Sequence, residues 1–361
     1  MNFADIRLLQ SVTQSPCVTI TLPTHRTSPD NLQDRIRLKN LVVQASERLI
    51  KDYGQREIAH VLTHLNQLVE QIDDQANLDG LVLCVNHDMA QCFVVPFTVQ
   101  ERVVIDDTFY MRDLVYGLNR TINYWVVTLN ENATRLFRGT NDVLVEQTAF
   151  GFPMTHTGPG GTTNLPDGIG IDRSNVRDEG HRTFFRAVDA GVHAAHRQEA
   201  LPVVVVGVDR FVTFYHEVSD HASDIMATVR GSHDTSTAHQ LAQVVWPTVQ
   251  THASQLITQA LNELQVAVGG NRYVASVADV WRVAHEGRGQ HLLVERAFVY
   301  PAHVDTSGMQ VTAAIDATAP DVLDDAVDEI ITQVMATGGQ VTFVSPGDLQ
   351  AYQHIALITR Y

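Results

Sequence analysis

Histidines, glycines and arginines supply the candidate chemistry. His216-Glu217-Val218-Ser219-Asp220-His221 has the composition of a zinc-protease helix, but its histidines stand at i and i+5. The zinc motif needs them at i and i+4, on one helical face, so no metal site is expected there. Gly158-Pro159-Gly160-Gly161-Thr162-Thr163 has the glycines of a phosphate loop without the Gly-Lys-Ser/Thr that supplies its lysine. No G-x-S-x-G elbow is present, and the 17 scattered histidines assemble into no Ser/His/Asp set. The basic side chains are a different matter. Thr24, His25 and Arg26 follow a strand-like run, and Arg35, Arg37 and Lys39 open a helix, where arginine in particular suits bidentate phosphate contact.

Composition limits how far that basic chemistry can extend. The 361 residues carry a net charge of −16, so a broadly basic nucleic-acid binder is excluded and any RNA contact must be local. No DNA partner is expected. Hydrophobic content of 44% with 18% charged residues is that of a folded globular chain. Cys17, Cys84 and Cys92 sit in apolar, strand-like runs, as small hydrophobes do, with no Cys-x-x-Cys pair. The opening Met1-Asn2-Phe3-Ala4-Asp5 lacks the layout of a signal peptide, and the strongest apolar run, Val203 to Val208, is far too short for a bilayer. A cytoplasmic protein is expected.

The elements that must position these residues follow from periodicity. Cys17 to Leu22 reads as a strand ending at Pro23, and residues 33 to 51 as a helix with Ile36, Leu38, Leu41, Val42, Ala45 and Leu49 inward. A second helix spans about Arg56 to Ile72, and Leu81 to Val85 with Ala90 to Phe97 form a hairpin across Asn86-His87-Asp88. Tyr124 to Leu129 and Arg135 to Arg138 are two more strands. A long glycine-rich loop, 151 to 180, is expected to be exposed and mobile, and from His181 a helix buries Phe184, Phe185, Val188, Val192 and Ala195, with Arg182, Arg186, Asp189 and Arg197 off the stripe. Pro202 to Val208 reads as a strand buried on both faces, and Thr237 to Leu264 as a helix kinked at Pro247. Helix and strand then alternate: Ser276 starts a helix stopped at Gly287, Leu292 to Val294 is a strand, Val327 to Val334 lines a helix stopped at Gly338, and Val341 to Val344 follows. The fold class is α/β (α+β), in three domains at 1–121, 122–265 and 266–361, each a sheet with packed helices and the last an α/β sandwich.

Several phrases resemble a known family. Cys17-Val18-Thr19-Ile20-Thr21-Leu22-Pro23-Thr24-His25-Arg26, Arg37-Leu38-Lys39-Asn40-Leu41, His181-Arg182-Thr183-Phe184-Phe185-Arg186-Ala187-Val188-Asp189 and Ile355-Ala356-Leu357-Ile358-Thr359-Arg360-Tyr361 look like the bacterial relatives of archaeo-eukaryotic peptide-chain release factors, and within them the Pelota-related ribosome-hibernation factors. The resemblance implies a first domain at the decoding centre, a middle domain whose loop points at the peptidyl-transferase centre, and a last domain that engages a translational GTPase, with elongation factor Tu as the delivery partner. The family's hydrolytic Gly-Gly-Gln is replaced by Gly160-Gly161-Thr162, and its Asn-Ile-Lys-Ser codon-reading motif by Arg35-Ile36-Arg37-Leu38-Lys39-Asn40. A literal Gly338-Gly339-Gln340 falls at a helix C-cap, which explains it without chemistry. The expectation is therefore a non-enzymatic, cofactor-free A-site occupant of the ribosome in stress. Thr24, His25, Arg26, Arg35, Arg37 and Lys39 would meet 16S ribosomal RNA, and Met154, Thr155, His156, Thr157, Gly158, Pro159, Gly160 and Gly161 the 23S RNA. The alternative is a rescue factor hydrolysing peptidyl-tRNA through His156 or Thr162.

Overall fold

In the first 120 residues an edge-to-edge run of apolar strands is covered by two amphipathic helices. The computed structural model describes residues 3–12, 15–26, 30–72, 78–159, 161, 163, 165, 172–315 and 322–361. After α1 (Phe3–Gln10), β1 (Cys17–Pro23) enters a four-stranded antiparallel sheet. α2 (Asn31–Tyr53) and α3 (Ala59–Gln71) follow, then β2 (Gly80–Val85), β3 (Ala90–Val95), β4 (Arg102–Asp106) and α4 (Arg112–Arg120), with sheet order β3-β2-β1-β4. The β2–β3 hairpin is the expected one: the Asn86 side-chain oxygen accepts the N–H groups of Asp88 and Met89 and closes the turn. α2 buries Leu38, Leu41, Val42, Ala45 and Leu49 as expected, but not Ile36, which is 62% exposed. Asp34 takes the buried place one turn before Leu38, because its carboxylate accepts the His25 N–H and faces the His25 ring.

The middle of the chain folds around a buried parallel strand. β5 (Asn123–Leu129), β6 (Arg135–Thr140) and β7 (Val143–Gln147) form an antiparallel meander. α5 (Arg173–Gln198), β8 (Val203–Gly207), α6 (Asp209–Val218), β9 (Ile225–Arg230) and α7 (Ala238–Gly269) follow. The sheet order is β7-β6-β5-β8-β9, with β8 parallel to both its neighbours. All five residues of β8 are buried, as a strand covered on both faces must be. α5 starts eight residues before His181. Its first two turns carry a single apolar side chain, Val176, and show no apolar stripe, and Asp172 caps them by accepting the N–H groups of Ser174 and Asn175. Asp189, expected off the stripe, is buried and accepts from Tyr215 Oη and Ser219 Oγ. α7 runs through Pro247 as a single helix.

The last segment adds β10 (Tyr273–Ala275), α8 (Val277–His285), β11 (Gly289–Glu295), β12 (Ala302–Val304), β13 (Val311–Ala313), α9 (Ala326–Ala336), β14 (Gln340–Val344) and β15 (Ile355–Thr359). Its sheet order is β10-β15-β11-β14, and the expected strands 292–294 and 341–344 pair in parallel. Ser276 caps α8, and Gly287 and Gly338 carry the positive φ that ends each helix. The whole is a mixed α/β fold with several helix-covered sheets.

Two compact units result: Thr121–Thr258, and a second made of Met1–Arg120 with Gln259–Tyr361. The halves of the second unit share one core, in which Val82, Phe97 and Leu114 pack with Val280, Leu292 and Ile330. Arg112 is its polar centre. It donates to an Asp325 carboxylate oxygen at 2.8 Å and to the carbonyls of Glu295 and Arg296, while Asp328 accepts the N–H groups of Met111 and Arg112 at the start of α4. Among the described residues no helix is long and apolar enough to cross a membrane, and no cluster of metal-ligating side chains occurs.

Candidate functional site

The segment between β7 and α5 is tied down by its backbone before any side chain is considered. Met154 and Thr134 exchange N–H···O bonds of 2.9 and 2.8 Å, His156 N–H donates to the Glu131 carbonyl at 2.7 Å, and Thr155 Oγ1 donates to the Asn132 carbonyl. The β5–β6 turn therefore acts as a template for residues 154 to 156. Its own shape comes from Asn130, whose side-chain oxygen accepts from Asn132 and Ala133.

That pairing turns His156 inward, against the expectation of an exposed loop: the residue is 2% exposed. Its ring stacks on Phe184 with centroids 5.2 Å apart and lies 5.0 Å from the His181 ring. Neither ring nitrogen has a hydrogen-bond partner among the described residues. Burial first, then the neighbouring His181, hold the His156 pKa below its ordinary 6.5; Glu131 and the Gly180 backbone oppose this. Three glycines make room for the ring. A Cβ on Gly161 would stand 2.1 Å from the His156 carbonyl oxygen and 2.8 Å from its ring, and one on Gly180 2.4 Å from the Pro159 carbonyl. On Gly158 it would meet His156 Nε2 at 3.0 Å.

His181, wholly buried on α5, is the other half of the arrangement. Its Nδ1 lies 2.8 Å from the Arg177 carbonyl and its Nε2 2.6 Å from a Glu131 carboxylate oxygen. Both of its ring nitrogens thus lie against acceptors. It stacks on Phe211 and Phe214 at 5.3 and 5.9 Å, faces that favour a cation. Arg182 and Arg210 lie over the Phe214 ring at 4.6 and 5.5 Å. Glu131 and His181 are the site residues that composition did not single out as a pair. They are 50 positions apart, and only the turn after β5 brings them together.

The other expected loop residues are distributed around this centre. Thr155, Thr157, Pro159 and Gly161 are exposed, Met154 and Gly158 are half-buried, and Gly160 and Thr162 lie outside the described residues.

In the first segment the basic residues are brought together only in part. Thr24 is buried, its hydroxyl donating to the Leu78 carbonyl, and His25 is held on Asp34. Arg26 donates twice to Asp79, both at 2.7 Å, which lowers the Asp79 pKa below its ordinary value. Arg37 donates to Glu101 and to the Pro23 carbonyl. His25 and Arg37 share Asp34, while Arg26 is paired separately with Asp79. Arg35 and Lys39 lie elsewhere, one turn apart on the face of α2 that also exposes Leu32, Ile36 and Val43.

The remaining motifs resolve structurally. His216 meets Thr228 Oγ1 and His221 meets Asp189, so the two histidines face different partners. Gly338 N–H and Gly339 N–H donate to the carbonyls of Met335 and Val334, and a Cβ on Gly339 would be 2.6 Å from Val334. Helix capping and packing account for both glycines. The three cysteines are free thiols, and burial raises Cys17 to about 12 and Cys92 to about 11.

No curated protein matches the chain. Among solved structures, the chain is similar to archaeal Pelota in a model of the ribosome-bound protein, at 11% identity over 100% of this chain and 94% of that one, with a TM-score of 0.45. Archaeoglobus fulgidus Pelota matches at 11% identity over 99% and 92%, TM-score 0.32. An archaeal translation termination factor, aRF1, matches at 14% over 99% and 96%, TM-score 0.26. The segment that holds β5 to α8, and with it the His156 loop, matches over residues 123–288 the family model for Bacterial archaeo-eukaryotic release factor family 3.

Proposed function

We propose that the protein is a ribosome-associated factor that fills the vacant A site during translational arrest and carries out no hydrolysis there. The observation that carries this reading is the loop before α5, inside the segment that matches a release-factor family. No glutamine occurs between Gln147 and Gln198, and the one ring in the loop that could move a proton, His156, is turned into the unit with both nitrogens covered. Hydrolysis needs a group that positions water at the ester, and a covered imidazole positions none. What remains exposed is backbone at Thr157, Pro159 and Gly161, suited to close approach to large-subunit RNA. Lys39, exposed on α2, is the first-segment cation best placed for phosphates of small-subunit RNA, with the half-buried Arg35 one turn away on the same helix face. Arg26 and Arg37 would have to exchange Asp79 and Glu101 for them. Elongation factor Tu is the proposed carrier.

Single-turnover assays on ribosomes holding peptidyl-tRNA test the reading directly. Peptide release at the background rate, together with co-sedimentation on vacant ribosomes that weakens as salt rises, is the expected pair of results. Release above background, lost in His156→Ala, would move the protein to the rescue hydrolases.

A further inference from the structure

We propose that His156 is the bolt of a two-position latch: with its ring neutral it locks residues 154–159 against α5, and taking up a proton frees them. The geometry supplies every part. Among the described residues the buried imidazole has no hydrogen-bond partner, which is costly, so the locked position is held by stacking and backbone pairing against a standing cost. Solvation of the ring on release offsets part of the lost stacking and pairing.

The charges around the ring set the direction. From α5 it faces His181, both of whose ring nitrogens lie against acceptors; from the β5–β6 turn it faces Glu131, already engaged by His181 Nε2. From α5 and α6, Arg182 and Arg210 lie on Phe214, which stacks on His181. The loop contributes no charge of its own from Phe150 to Leu165 apart from His156. A proton on His156 therefore meets His181 at close range, and the pull of Glu131 opposes that repulsion and the burial without outweighing them. The burial and repulsion that hold its pKa below 6.5 are the same forces that expel the ring once it is charged. The chemistry that throws the latch is acidification, and the inference concerns the free protein, so it stands or falls apart from the ribosome reading.

Hydrogen exchange on the full-length protein, corrected for intrinsic rates, tests it at pH 7.5 and 5.5. Below pH 6.5, protection of the Met154 and His156 amides should fall by up to about tenfold per pH unit, the slope for one proton taken up on release. The β8 amides of the same unit are the internal reference and should keep their protection. His156→Phe keeps the stack on Phe184 without a titrating group and should abolish the pH response; if that variant folds poorly, His156→Gln serves. Equal protection of the two amides at both pH values overturns the proposal. So does a parallel loss in β8, or an unchanged pH response in the variant.

Discussion

Replacing Arg112 by methionine should unfold one unit of the molecule and leave the other standing. The Arg112 side chain is 4% exposed and its partner Asp325 0%. The substitution keeps the apolar stem but leaves a buried carboxylate without its cation and takes a donor from each of the Glu295 and Arg296 carbonyls. Removing one member of a buried pair costs about 3–5 kcal/mol, so a central value of about 4 kcal/mol lowers the folded ratio roughly a thousandfold. Segment-resolved hydrogen exchange is the assay. The slowest amides of β2 and β11 should lose that protection together, since they border one core, while those of β8 should not. Arg112→Met with Asp325→Leu should recover most of the loss, because an apolar pair has no unmet charge. A loss below about 1 kcal/mol, or a double variant no better than the single, would refute the account of Arg112 as the polar centre of a shared core.

Other expectations follow from the same geometry. Gly161→Ala must displace backbone, since its Cβ would lie 2.1 Å from the His156 carbonyl oxygen, whereas Gly158→Ala meets only the edge of a ring; limited proteolysis at 154–163 should accelerate in the first and change little in the second. The two units should answer pH in opposite senses. Burial raises the pKa values of Asp106, Asp113, Asp324 and Glu329, so the folded state holds those protons more tightly; that stability is full below the unfolded carboxylate range and is lost as pH rises through the folded values. Urea titrations read by exchange in β2 and β11 should thus show a gain on going from pH 7 towards 5. The depressed His156 works the other way, its stability being present above 6.5 and lost as pH falls, so the middle unit should show no such gain. Arg35→Glu with Lys39→Glu should weaken ribosome co-sedimentation and make it less sensitive to salt, the log–log slope falling by about one unit for each RNA phosphate no longer neutralised.

Local pattern was legible where one face decides the outcome. Phe184, Phe185, Val188 and Val192 are spaced as a buried helix stripe and are one, and Val203 to Val206 is the doubly covered strand its composition implies. Asn86 closes the hairpin it was expected to close. What escaped periodicity is polar and long-range. Asp34 displaces Ile36 from the interior because His25, nine residues away, meets its carboxylate. Asp189 is buried by Tyr215 and Ser219. The first turns of α5 rest on an Asp172 cap and not on an apolar stripe. Arg112 reads as a solvated helix residue until Asp325, 213 positions on, is placed beside it. In the site, glycine content correctly marked a special loop, but the reason for it was hidden: the glycines surround a histidine that packs inward and needs the room.

The order of the strands also governs the schedule on which the molecule can be completed during synthesis. β15, residues 355–359, is an interior strand of its sheet, flanked by β10 and β11, and that sheet covers apolar side chains contributed by the first hundred or so residues. The middle unit contains everything it needs by Thr258 and can fold while later residues are still being added. The opening segment can close one face by itself, where Ile20 and Leu83 pack with Leu38 and Leu65, but not the other. Phe97, Leu114 and the Arg112 guanidinium wait, with their counterparts unmade, until the last interior strand has been synthesised, so a nascent-chain holdase acting on this protein has its natural target in the oldest part of the chain.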